Sequence, residues 1–173
     1  MEQVKSLKIN KEIILTITQF GGLLALATFV PMFWHNQFVT GPIVNAVLFA
    51  TVVLLGRESA ILVGLIPSVM ALSFGLLPPA LAPIVPFIMA SNAVLVLAFS
   101  LFKRVNYWLG VAIASFLKFV FLYFSTFVVL ELIVKKELAQ NVIMIMSWSQ
   151  LVTALSGGIL AFIFLKKLKR FNN

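Results

Sequence analysis

The sequence predicts an all-α fold: a polytopic membrane protein of six transmembrane helices with its N and C termini in the cytoplasm. Three observations lead there. Apolar residues make up 62% of the chain and charged residues 10%, with a mean hydropathy of +1.12, outside the range of soluble domains. The 173 residues, at roughly 20 per span, hold about six spans with short links. The basic residues sit at the ends of apolar runs rather than along a polar face. Residues 1–173 are therefore read as one integral membrane domain in the cell membrane, with 1–11 an N-terminal cytoplasmic segment and 166–173 a basic cytoplasmic tail.

The first apolar run, EIILTITQFGGLLALATFVPMFW, covers 12–34. Lys5, Lys8 and Lys11 before it and Ala25-Leu26-Ala27 within it have the look of a signal peptide. The apolar run continues through Phe29 to Trp34, so it reads as an uncleaved helix. The segment 1–11 is read either as a surface segment drawn to anionic lipids or as a frayed tail. After the polar link HNQFVTG, Gly41-Pro42 opens the second run, since proline suits a first helical turn. That run stops at Arg57-Glu58, and the third, SAILVGLIPSVMALSFGLL, carries Pro67 as a kink. Four prolines in PPALAPIVP, 78–86, disfavour continuous helix and predict an extended or re-entrant loop. The fourth run ends at Lys103-Arg104, the fifth covers about Asn106 to Leu130, and the sixth about Val142 to Leu165, before KKLKR. With both termini inside, ten basic residues lie on the cytoplasmic side and only Lys135 and Lys136 outside, the bias expected of short cytoplasmic loops.

The composition also removes function classes. There is no cysteine, no aspartate, one histidine (His35) and five glutamates, and no HExxH, GxSxG or Walker-type signature occurs. No catalytic residue, metal or cofactor is expected, and the protein is read as not an enzyme. The net charge of +8 belongs to helix ends and not to a nucleic-acid face.

Lys118, in SFLKFVFLY, is the exception to this pattern. It falls about 12 residues into the fifth run, roughly 18 Å along a helix and near the middle of an apolar slab about 30 Å thick. A lysine there persists where water, a counter-charge or a ligand receives it. Glu58 and Glu131 are too far along the chain pattern to pair with it. Asn92 and Gln150 fall at comparable depth in the fourth and sixth runs, and Ser115 and Ser125 continue a polar stripe on the fifth. These residues predict an outward-opening polar cavity floored by Lys118, Asn92 and Gln150 and roofed by HNQFVTG, which includes Asn36, and by PPALAP. Trp34, Tyr123 and Trp148 sit near its mouth, where aromatic walls suit a flat ligand. The bland readings are a water- or carbonyl-bound lysine, interhelical hydrogen bonds for Asn92 and Gln150, and belt aromatics at the membrane surface. The small-residue pairs Gly21-Ala25, Ala154-Gly158 and Gly157-Ala161 permit close helix approach, within the chain by default.

In size, helix count and the stretches TGPIVNAVLFATVVLLG and SAILVGLIPSVMALSFGLLPPALAPIVPFIMASNAVLV, nearly the whole chain resembles the S components of energy-coupling factor (ECF) transporters. The resemblance implies a membrane subunit that captures a vitamin or other micronutrient at the outer face. It also implies reorientation on a T subunit driven by two cytoplasmic ATPases. In that family a small-residue motif on the first helix, often Ala-xxx-Ala, meets the T subunit; the nearest match here is Gly21-xxx-Ala25. Lys118 favours a substrate bearing an anionic group. The rival expectation is a non-transporting scaffold resembling the MreD proteins of cell-shape machinery, which needs partner surfaces but no ligand pocket.

Overall fold

The computed structural model describes residues 2–34, 36–75, 79–132, 143 and 146–168, and these are helical with short turns. Helix α1 spans Glu2–Phe33, α2 Gln37–Leu54, α3 Arg57–Ser73, α4 Val85–Phe102, α5 Tyr107–Leu132 and α6 Trp148–Lys167. Among the described residues, five segments are long and apolar enough to cross a bilayer: Lys11–Phe33, Gln37–Leu54, Ala82–Phe102, Tyr107–Thr126 and Trp148–Lys167. That is the mark of a multi-pass membrane protein. Helix α3 is not among them, because its 17 residues begin with Arg57-Glu58 and include Pro67.

Several boundaries differ from expectation, each for a local reason. Helix α1 continues unbroken from Glu2, since 1–11 contains neither Gly nor Pro and is rich in good helix formers. Helix α2 begins five residues before Pro42. Asn36 caps it, accepting the Phe38 N–H on Oδ1 at 2.9 Å, while Thr40 Oγ1 donates to the Asn36 carbonyl at 3.1 Å. The proline-rich stretch forms a 3₁₀ turn, Pro79–Ile84, that runs directly into α4. Proline's fixed φ is compatible with 3₁₀ geometry, and its missing donor matters little in so short a piece. Helix α6 begins at Trp148; His35, most of the connection ELIVKKELAQN and the tail beyond Leu168 lie outside the described residues.

The side-chain contacts fix the helix directions. Gly64 of α3 approaches Asn92 of α4 and Leu48 of α2, and Gly110 of α5 abuts Lys103 and Phe99 of α4. Gly41 and Gly157 lie against Thr153 and Asn45 respectively, so α2 and α6 run parallel. Each helix is thus antiparallel to the one before it in the chain, and Arg57, Lys103, Arg104, Lys166 and Lys167 collect at one end of the bundle.

The α2–α6 contact is tight because both helices offer glycine. A Cβ at Gly157 would lie 2.6 Å from Asn45 Cβ and 2.9 Å from the Pro42 carbonyl oxygen. Gly158 abuts Val111 of α5, and its carbonyl accepts the Tyr107 hydroxyl at 2.8 Å. The main core gathers apolar side chains of all six helices, among them Leu23, Phe49, Val63, Phe99, Val111 and Leu165, with Phe49 edge-on to Phe99 at 4.7 Å.

Candidate functional site

Lys118 stands eleven residues into α5, roughly 16 Å from its start. Its side chain turns into the bundle, where only 3% of the residue is exposed. Its ammonium donates to Asn45 Oδ1 of α2 and to Asn92 Oδ1 of α4, each at 2.8 Å. No carboxylate takes part: among the described residues two amide oxygens receive the Lys118 side chain. Breaking such an arrangement leaves a buried charge or amide unmatched, which is costly.

The amides are oriented by chemistry. An ammonium can only donate, so both asparagines must present oxygen to it, and their NH₂ groups face elsewhere. Asn92 Nδ2 donates to the Gly64 carbonyl of α3 at 2.9 Å. Asn45 Nδ2 has no partner among the described residues. With each amide oxygen already accepting from Lys118 and the Asn45 NH₂ unassigned among the described residues, these three side chains offer more free donors than acceptors.

These residues line a cavity of about 170 Å³ to which all six helices contribute, through Pro31, Thr40 and Asn45, Ser68, Asn92, Lys118 and Gln150. It lies toward the bundle end where α1 finishes and α2 begins, away from the cluster of basic residues. At the same end Gln37 Nε2 donates to Ser149 Oγ at 3.3 Å, joining the starts of α2 and α6.

The structure brings Lys118, Asn92 and Gln150 together on one cavity. It does not bring the expected aromatic wall. Trp34, Tyr123 and Trp148 are 57%, 47% and 67% exposed and do not line the cavity. Trp148 and Tyr123 flank Phe119 with ring centroids at 5.1 and 5.9 Å, an outer aromatic group on α5 and α6. Such placement matches aromatic residues at a membrane surface. Asn36 is a helix cap rather than a lining residue. Of the serines on α5, Ser125 donates to the Phe121 carbonyl at 2.7 Å, while the buried Ser115 hydroxyl has no partner among the described residues.

Asn45 is the site residue the sequence reading missed. Its signal was present: a lone asparagine inside PIVNAVLFATVVLLG is as anomalous as Asn92 in its own run. Gly21, the expected docking residue, is exposed and has open space where a Cβ would stand, and Ala25 is half-buried. Gly21 is therefore not consumed by packing within the chain, unlike Gly157 and Gly158 of α6. No protein-family model, no curated protein and no solved structure matches this chain.

Proposed function

We propose that this chain is the substrate-capture subunit of an ECF-type importer. In this reading it lies in the cell membrane with six spans, α3 included, and with both termini and the basic end of the bundle in the cytoplasm. The cavity then opens outward. It takes a small substrate bearing an anionic or otherwise acceptor-rich group, and the subunit delivers that substrate by reorienting with a T subunit and two cytoplasmic ATPases. The observation that best supports this is the Lys118–Asn45–Asn92 arrangement, a buried cation whose amide partners are turned so that donors are left over. A volume of about 170 Å³ favours a compact ligand, since pockets for drug-sized ligands are roughly 300–1,000 Å³. The open face around Gly21 supports docking of another membrane subunit on α1.

Native mass spectrometry of the purified full chain tests the reading. The expected result is a retained small anionic compound, held at least about tenfold more weakly by Lys118→Met, or about 1.4 kcal/mol. Equal retention by a folded Lys118→Met protein would remove the anchoring role. A protein that never carries a ligand and co-purifies with cell-shape components would favour the scaffold reading.

A further inference from the structure

The basic end of the bundle holds a second, larger concavity of about 490 Å³, between the α2–α3 and α4–α5 turns. Its polar lining is Ser100 and three cations: Arg57 from the start of α3, and Lys103 and Arg104 from just beyond α4. Among the described residues no carboxylate lines it, although Glu58 is the next residue along α3. Cations at helix ends ordinarily fan out into water as orientation signals. Here three converge on one hollow, and the reasons are structural.

Lys103 is fixed in place. Its ammonium donates to the Val52 carbonyl of α2 at 2.8 Å, satisfying one of the carbonyls that the end of a helix leaves over. Two of its three N–H groups remain for another acceptor. Gly56, in the left-handed region at φ 89°, turns the chain sharply into α3. It gives α3 no side-chain cap. Burial first, and the neighbouring Arg104 second, hold the Lys103 pKa below its ordinary 10.5.

We infer that this hollow is a phosphate-binding site, in which Arg57 and Arg104 grip the phosphate oxygens and Lys103 supplies a fixed third donor. Paired guanidinium forks suit phosphate geometry. The position favours a phospholipid headgroup as the source. Lys103 is the first residue beyond the apolar segment Ala82–Phe102, which sets the hollow at headgroup level, and Leu101, 63% exposed, offers an apolar edge beside it for an acyl chain. The site is at the opposite end from the Lys118 cavity and does not depend on what that cavity binds.

The test uses the full chain in detergent and in nanodiscs of phosphatidylcholine with or without phosphatidylglycerol. Arg57→Gln combined with Arg104→Gln is compared with Lys166→Gln combined with Lys167→Gln, which removes the same charge from the same end but outside the hollow. Lys103 is left intact because it caps α2. Wild type and the α6 pair should retain phosphatidylglycerol through delipidating washes, and the arginine pair should retain roughly tenfold less. In lipid-free detergent, inorganic phosphate should raise the thermal midpoint of the wild type and not of the arginine pair. A phosphate response without any lipid preference would assign the site to free phosphate or a soluble phosphate ester. Equal lipid loss from both pairs, or no response of the wild type to either probe, would overturn the site. The phosphate arm on the wild type stands even if the arginine pair misfolds.

Discussion

Asn92 carries more of the site than Asn45 does. Its oxygen receives the Lys118 ammonium while its nitrogen ties α4 to the Gly64 carbonyl of α3, whereas Asn45 contributes an oxygen alone among the described residues. Asn92→Leu should therefore lower stability more than Asn45→Leu, by about 1–3 kcal/mol against wild type, read from thermal or denaturant unfolding in detergent. Comparable losses would mean the Gly64 bond contributes little. Lys103 gives a pH-dependent expectation. Its folded pKa is depressed below 10.5, so between that lowered value and 10.5 the unfolded state binds more protons and stability rises with pH. Lys103→Met should make that rise smaller when thermal midpoints are followed upward towards pH 10.5. At this scale the sequence was informative wherever polarity broke an apolar run, as at Lys118, Asn92 and Asn45. It was silent on the aromatics, because a tryptophan near a helix end is equally compatible with facing a cavity or the surroundings, and only packing settles which.

The two small-residue helices behave oppositely, and substitution should separate them. Gly157→Leu drives a side chain into Asn45 and the α2 backbone, where even a Cβ stands at 2.6 Å and 2.9 Å. It should cost about 1–3 kcal/mol or prevent folding. Gly21→Leu meets nothing within 4 Å and should leave the thermal midpoint nearly unchanged. If α1 docks a T subunit, Gly21→Leu should instead reduce co-purification with it; intact co-purification would point the docking face elsewhere. The pattern of small residues was visible in the sequence for both helices, but which face meets a neighbour is a property of the folded bundle. Element boundaries were less legible. Pro42 looked like a helix start, yet Asn36 caps an earlier one, because a cap is decided by one side-chain bond that periodicity does not register. The crowded prolines did break α-helix, but they closed into a 3₁₀ turn instead of opening into a loop.

At the scale of the molecule, the basic residues Arg57, Lys103, Arg104, Lys166 and Lys167 share one end, and the absence of cysteine makes the orientation directly measurable. Single cysteines at Phe38 and Val105, both well exposed and at opposite ends, should react differently with an impermeant maleimide. Phe38→Cys should label on intact cells and Val105→Cys only after lysis; the reverse would invert the proposed topology. Apolar content and the placement of basic residues made the helical membrane architecture legible, while the shortness of α3 set the span count apart from the helix count.

The depth of Lys118 also has an electrical side. Among the described residues its side chain meets amide dipoles and no opposite charge, and eleven residues into α5 it stands, in the proposed membrane reading, about halfway through an apolar layer roughly 30 Å thick. An anion travelling to it therefore traverses about half of any voltage across that layer, worth about 1.2 kcal/mol per unit charge for each 100 mV. In the proposed capture role, occupancy of the cavity by an anionic ligand is thereby coupled to the voltage across the membrane, so affinities measured in detergent and in polarised vesicles should differ by that amount.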